Sequence, residues 1–289
     1  ILPIGNRPLS PPVFRFAPSP NGYLHLGHAY SALMNQRMAR EVDGRLLLRI
    51  EDIDLTRCRP KFEQAIYEDL EWLGLEWETP VRRQSEHFDD YAIGVGKLIK
   101  AGLVYQSFLT RAEAAKIAPN QDVDPSGAPL HPLLERDLDW SIITARQFAR
   151  VPSAWRLNMD KALAVVPAVM NWIEHGTGRL EVCKADPAAW GDVVIVRKET
   201  PTSYHLSVVI DDALQGVTNV VRGMDLYSQT SIHRLLHELL DLPVPHYFHH
   251  KLISGDDGGK LAKSASSLPL RELRNQGITA KEIRQSLGF

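Results

Sequence analysis

Cysteine is nearly absent from this chain. Only Cys58 and Cys183 occur in 289 residues, far apart in sequence, which excludes a disulfide framework and a cysteine-rich zinc site, so both are read as free thiols. No apolar run approaches the roughly eighteen residues of a membrane helix. The start, Ile1-Leu2-Pro3-Ile4-Gly5-Asn6-Arg7-Pro8, lacks the charged region, apolar run and small-residue cleavage site of an export signal. The expectation is therefore a soluble, cytoplasmic protein without membrane contact, and a monomer. A basic excess is missing too: 33 Lys and Arg face 35 Asp and Glu, a formal charge of -2. Any contact with nucleic acid must then come from local patches rather than from the whole surface. There is no internal repeat and no low-complexity tract.

What is present is an ordinary globular composition, 44% hydrophobic and 24% charged, long enough for one large domain or two smaller ones. Apolar periodicity divides the first hundred residues into alternating strands and helices. Val13 to Ala17 reads as a strand, followed by the Pro18-Ser19-Pro20-Asn21-Gly22 turn. A helix follows, with Leu26, Tyr30, Leu33, Met34 and Met38 on one face. Arg45 to Ile50 is the next strand. Pro60 suits a first helical position, Phe62, Ile66, Leu70 and Leu73 share a face, and Gly74 closes that helix. Phe88, Tyr91, Val95 and Leu98 mark another helix, stopped by Gly102. This alternation predicts an α/β fold with a doubly wound parallel sheet. From about Tyr105 to Trp190 the rhythm fails and prolines interrupt, as in an inserted subdomain. The strand pattern resumes at Asp192 to Arg197, passes through Tyr204 to Asp212 and Thr218 to Arg222, and reaches a helix carrying Ile232, Leu235, Leu236 and Leu239. The expected division is 1–105 and 191–250 for the two halves of a nucleotide-binding fold, 106–190 for the insert, and 251–289 for a lysine loop and helical tail.

Three segments carry chemistry. In the first, a strand ends in the turn Arg15-Phe16-Ala17-Pro18-Ser19 and a helix opens with His25-Leu26-Gly27-His28. A helix start presents free N–H groups and a positive dipole end to phosphate, imidazole donors there can stabilise charge growing on a phosphate oxygen, and Gly27 allows a nucleotide to approach the backbone. The second is Gly255-Asp256-Asp257-Gly258-Gly259-Lys260-Leu261-Ala262-Lys263-Ser264, whose two lysines can follow the charge of departing pyrophosphate. It is not a Walker loop, since the glycine spacing is short and Leu261 stands where Ser or Thr would bind Mg²⁺. The third, Arg49-Ile50-Glu51-Asp52-Ile53-Asp54, ends a strand where ligands of open α/β sheets gather. A carboxylate here can hold an ammonium group, and one of Asp52 and Asp54 is expected to cap the following turn.

Taken together and in order, these segments resemble the signature set of the glutamyl-tRNA synthetases, class I aminoacyl-tRNA synthetases. His25-Leu26-Gly27-His28 resembles the "HIGH" motif and Lys260-Leu261-Ala262-Lys263-Ser264 the "KMSKS" motif, departing at Leu261 and Ala262. Tyr204 to Asp212 and Gly216 to Asp225 resemble the second-half signature. The tail, Leu270-Arg271-Glu272-Leu273-Arg274 and Thr279 to Arg284, is similar to the natural end of a shorter branch, the glutamyl-Q tRNA(Asp) synthetases, without an anticodon-binding domain.

The resemblance implies a class I Rossmann-like sheet split by an insert and ATP-dependent activation of L-glutamate without tRNA. The glutamyl group would then pass to queuosine in the anticodon loop of tRNA(Asp). It implies that Arg15, Ala17, Ser19, Glu51, Tyr204 and Arg222 surround glutamate, that His25, Gly27, His28 and Lys263 bind ATP, and that His25, His28, Lys260 and Lys263 act in catalysis, with Mg²⁺ on the pyrophosphate. Which of Arg15 and Arg222 takes which carboxylate stays open at this point. That branch commonly carries zinc in the insert on a Cys-x-Cys pair. Here the stretch reads Tyr105-Gln106-Ser107-Phe108, so no structural zinc is expected and His131 is read as a surface residue. Alternatives that share the motifs are a truncated glutamyl-tRNA synthetase charging tRNA(Glu), another adenylate-forming or nucleotidyl-transferring enzyme of this fold, and a non-catalytic tRNA-binding or regulatory paralogue.

Overall fold

A computed structural model describes residues 10–117, 122–176, 178–253 and 268–289. The first part runs β1 (Val13–Phe16), α1 (Leu26–Glu41), β2 (Arg45–Ile50), α2 (Pro60–Trp72), β3 (Glu78–Arg83) and α3 (Phe88–Lys100). The middle supplies β4 (Val104–Ser107), α4 (Arg111–Ile117), α5 (Trp140–Phe148), β5 (Ala154–Leu157), α6 (Met159–Ala164), β6 (Asn171–Glu174), β7 (Glu181–Lys184) and β8 (Val194–Val196). The remainder is α7 (Tyr204–Leu214), β9 (Asn219–Gly223), α8 (Thr230–Leu240), β10 (His246–His250), α9 (Leu270–Asn275) and α10 (Ala280–Ser286). Seven strands form the main sheet in the order β3-β2-β1-β9-β10-β6-β7, parallel except for the edge pair β6-β7. A small antiparallel sheet, β4-β5-β8, stands apart from it. Among the described residues no helix is long and apolar enough to cross a membrane.

The period of two along a strand sorts the side chains of the central strands into two buried layers. Phe14 and Phe16 of β1, Leu46, Leu48 and Ile50 of β2 and Val221 of β9 pack with α1, α2, α9 and α10. Their neighbours of opposite parity, Val13, Leu47 and Val220, pack with α3, α7 and α8. The helices stop where expected: Gly74 and Gly102 take φ of +75° and +69°, the left-handed conformation that glycine adopts without a Cβ clash. By parity Arg15, Arg49 and Arg222 belong to the α7 side of three adjacent strands, and that placement creates the site.

The structure departs from the sequence expectation in the second half. Tyr204 to Asp212, read within a strand pattern, is helix α7. Its Leu206, Ser207, Val208, Val209, Ile210, Asp211 and Asp212 are all buried. A helix covered on most sides loses its 3.6-residue period, and a Val-Val-Ile run then reads as a buried strand. Val194–Val196 joins the small sheet instead of resuming the large one, and the large sheet takes β6 and β7 from within residues 106–190. Strands of three or four residues are too short to declare a period.

The tail closes over the other layer. Leu270 and Leu273 are buried beneath α2, and the Leu270 N–H donates to Leu24 O at 2.7 Å beside the His25–Pro269 bridge. Under this tail Asp69 of α2 is fully buried; among the described residues both its side-chain oxygens lack a hydrogen bond, and Arg274 Nη1 lies 3.6 Å away. Burial pushes its carboxyl up to about 6, against the pull of Arg274 and Arg271. A folded-state value above the unfolded one means that the native state holds the extra proton, so Asp69 subtracts stability as pH rises from about 4 through 6. Asp69→Asn is expected to gain melting temperature over the parent at pH 8 and little or none at pH 4.5. Equal gains at both pH values would contradict this assignment.

Candidate active site

In a parallel sheet ligands collect at the carboxyl edge where the strand order reverses. Here the chain moves from β1 to β2 and β3 on one side, while β9 and β10 lie on the other, so the reversal falls between β1 and β9. Four pieces meet there: the turn after β1, the start of α1, the end of β2 and the end of β9. The Glu51 N–H donates to Pro18 O at 3.0 Å and ties the end of β2 to the turn.

His25 is the N-cap of α1 and lies just outside the helix rather than in its first turn. Its Nδ1 accepts the Gly27 N–H at 3.1 Å, and the His25 N–H donates to His28 Nδ1 at 3.2 Å. Two imidazoles thus form a reciprocal capping box normally built from Ser or Thr and Glu. Backbone N–H groups only donate, so both Nδ1 atoms must be bare and both protons sit on Nε2. Burial lowers the His25 value, and burial together with His25 brings His28 down to about 4. Near neutrality the helix start therefore presents two uncharged Nε2–H donors. Gly27 is required by this fold-back, since a Cβ there would meet His25 Cε1 at 2.9 Å.

Beside it lies a buried charge cluster. Asp212 Oδ1 accepts from Arg15 Nε at 3.0 Å and Arg49 Nη1 at 2.7 Å, and Arg49 Nη2 donates to Glu51 Oε1 at 3.0 Å. Asp211 turns the other way and accepts from Arg82 Nε at 2.7 Å, Gln84 Nε2 at 2.7 Å and Tyr91 OH at 2.9 Å. Arg49 has no exposed surface. Burial works to lower its value, and Asp212, Glu51 and Asp211 overcome that. Burial raises Asp212 as well, but Arg15 and Arg49 hold it below the usual carboxylate range. Glu51 is raised, because its burial outweighs Arg49 and Arg15.

Arg222 differs from these arginines in having no carboxylate partner among the described residues. Its Nε donates to His249 Nε2 at 3.0 Å, Nη2 to Thr230 Oγ1 at 2.8 Å, and Nη1 to His233 Nδ1 at 3.2 Å and more loosely to Tyr204 OH at 3.5 Å. It is 5% exposed, and its Cζ lies 5.3 Å from the Tyr247 ring centroid. A guanidinium has five N–H groups. One on Nη2 has no partner among the described residues, and the one toward Tyr204 is long, so a fork remains open to a carboxylate.

The structure brings Arg15, Glu51, Tyr204 and Arg222 into one cluster, with Tyr204 in the field of Arg222, Glu51, Arg15 and Asp212. Ala17 and Ser19 lie in the adjoining turn, where Ser19 Oγ is 3.7 Å from Cys58 Sγ. Lys260 and Lys263 lie outside the described residues. Asp54 does cap its turn, accepting from Thr56 N and Oγ1, while Asp52 holds Ser85. His131 is no surface residue: it is half-buried with Nε2 3.1 Å from Ser107 Oγ, which donates to Glu135 at 2.7 Å. Sequence reasoning gave no role to Arg49, Asp211, His233, His249 or Glu174. An arginine within Leu46-Leu47-Leu48-Arg49-Ile50, and paired aspartates within an apolar helix, were the available signals that a buried ion cluster needed partners. The histidines gave none, since their strands and helix are far apart in sequence.

Comparison with known proteins shows the family. The family described as tRNA synthetases class I (E and Q), catalytic domain, matches residues 13–287. The glutamyl-Q tRNA(Asp) synthetase of Rhodobacter capsulatus is 43% identical over 292 residues, covering 96% of this chain and 100% of that protein. The glutamate–tRNA ligase of Aquifex aeolicus is 36% identical, covering 93% of this chain and 55% of its own length. The crystal structure of glutamate-tRNA synthetase from Elizabethkingia anophelis superposes with a TM-score of 0.72 at 26% identity, over 89% of this chain and 53% of that one. This chain thus spans just over half the length of the glutamate–tRNA ligases it matches.

Removing one partner of a buried ion cluster strands the others and typically costs about 3–5 kcal/mol. Asp211→Ala, which leaves Gln84 and Tyr91 without their acceptor and Arg82 with Asp90 alone, is expected to lose stability of that order by urea denaturation. A loss under about 1 kcal/mol would show that the cluster does not hold α7 to the sheet.

Proposed function

The chain belongs to the class I tRNA synthetases of the glutamate and glutamine branch, a family of ligases, and from that premise we propose that it activates L-glutamate with ATP, without tRNA, and transfers it to queuosine in the anticodon loop of tRNA(Asp). The observation that carries the amino-acid part is the buried Arg222, which has no carboxylate partner among the described residues. A cationic fork with N–H groups left open suits the side-chain carboxylate of glutamate, and glutamine would leave it poorly paired. Arg15 is partly neutralised by Asp212 and suits the α-carboxyl end, while Glu51 suits the α-ammonium group.

In the first step the α-carboxylate attacks the α-phosphorus of ATP. A bond forms between carboxylate oxygen and phosphorus, the bond to the bridging oxygen breaks, and pyrophosphate leaves with its electron pair. The two Nε2–H donors of His25 and His28 stabilise charge on the α-phosphate, and Lys260 and Lys263 draw the leaving group away. Among the described residues no three His, Cys, Asp or Glu side chains converge as a metal cage. Mg²⁺ brought with ATP would supply positive charge to the leaving group. In the second step a queuosine hydroxyl attacks the glutamyl carbonyl and AMP departs. An RNA partner is supported by Arg57, Arg59 and Lys61, exposed on the segment whose Arg59 N–H donates to Pro20 O at 3.0 Å. We take these exposed cations as a positive rim for RNA phosphates. The insert is proposed to fold without zinc, its Ser107, His131 and Glu135 linked by hydrogen bonds instead.

Labelled glutamate is expected to transfer to tRNA(Asp) carrying queuosine, and not to queuosine-free tRNA(Asp) or tRNA(Glu). Labelling of tRNA(Glu) alone would replace this reading with a glutamyl-tRNA synthetase. His28→Ala is expected to slow glutamate-dependent pyrophosphate exchange about a hundredfold, as loss of an oxyanion donor does. Lys263→Ala should slow it about tenfold or more. Near-normal exchange in both folded variants would reject these roles. Because His28 is held down at about 4, its rate contribution should show no titration between pH 6 and 8.

A further inference from the structure

We infer that Glu174 and His249 are positioning residues that fix the Arg222 fork through the proton on one imidazole, and that this sets the preference for glutamate over glutamine. The inference rests on the reading of Arg222 as the partner of the glutamate side chain. Its basis is a chain of hydrogen bonds whose directions are forced. Arg222 can only donate, so His249 Nε2 and His233 Nδ1, which face it at 3.0 and 3.2 Å, must be bare. The His249 proton therefore sits on Nδ1 and donates to Glu174 Oε2 at 2.6 Å. The His233 proton sits on Nε2 and reaches His205 Nδ1 at 3.2 Å.

Glu174 is itself pinned. Its Oε1 accepts the N–H groups of His249 and Gly176, both at 2.9 Å, and Oε2 also lies 3.4 Å from Trp172 Nε1. Glu174 and His249 are 2% and 1% exposed, so no bulk water can replace these partners. Burial favours the neutral acid, yet the bonds from His249 and from the two backbone N–H groups bring Glu174 down to about 2. It is therefore a fixed acceptor, and a fixed acceptor on the Nδ1 side keeps Nε2 bare on the Arg222 side. The guanidinium is thus gripped at Nε and on one N–H each of Nη1 and Nη2, leaving its remaining donors for the ligand.

The isosteric change Glu174→Gln tests this directly. The amide oxygen must take the Oε1 position, where two backbone N–H groups donate, so the amide NH₂ faces His249 Nδ1. Two donors then meet unless the imidazole proton moves to Nε2, and there it opposes the Arg222 Nε–H. The expected result in pyrophosphate exchange is a rise of about tenfold or more in KM for glutamate with kcat and KM for ATP within about threefold. A comparable fall in the glutamate-to-glutamine ratio of kcat/KM should accompany it. ¹⁵N spectra of the imidazoles should report His249 protonated at Nδ1 in the parent and at Nε2 in the variant. A variant whose proton moves while its glutamate KM stays at the parent value overturns the inference. So does one whose KM values for glutamate and ATP rise together with a lost melting temperature, which is what a merely structural role gives. Arg222→Lys tests the premise separately: an unchanged glutamate KM there would overturn the glutamate reading of Arg222, and this inference with it.

Discussion

Two consecutive carboxylates at the end of α7, Asp211 and Asp212, make the rest of this site possible. Three strands bring Arg15, Arg49 and Arg222 to one buried layer, and each buried guanidinium costs several kcal/mol unless it is paired. Asp212 binds two of them and Asp211 ties the helix to Arg82, Gln84 and Tyr91. Arg222 is held differently: among the described residues its partners are His249, His233, Thr230 and Tyr204, none of them a carboxylate.

A second constraint is that no imidazole around the site needs to be charged. His205 and His28 are held down to about 4, chiefly by burial, and His233 is lowered well below its usual value for the same first reason. Neutral imidazole is useful in both places, but in opposite senses. At the start of α1 two bare Nδ1 atoms accept backbone N–H groups and leave the protons on Nε2. Around Arg222 two bare nitrogens accept from the guanidinium. One residue type, placed beside groups that can only donate, gives donors at the start of α1 and acceptors around Arg222. Neither arrangement adds a positive charge to a layer already holding three arginines.

Much of this was legible in the sequence where local chemistry was strong. The strands β1 and β2, the helices α1, α2, α3 and α8 and the stops at Gly74 and Gly102 follow from clear periods and turn residues. Arg15, Glu51, Tyr204 and Arg222, singled out from resemblance, do share one cluster. What failed was whatever depended on partners far away. Helix α7 was hidden because it is buried on most sides, and β6 and β7 because their four-residue runs carry no pattern. The Glu174–His249–Arg222 chain joins β6, β10 and β9, three strands that are neighbours only once the sheet has formed.

That dependence has a consequence for how the site is built. The histidine cap is local: the hydrogen bonds that join His25, Gly27 and His28 close within four residues at the start of α1. The surroundings of Arg222 are global, since it is oriented by residues from β6, β10, α7 and α8, including Glu174 within the stretch that separates the two sheet halves. On the proposed function, recognition of the amino acid therefore depends on the far edge of the sheet being assembled, whereas the histidine cap depends on contacts close in sequence.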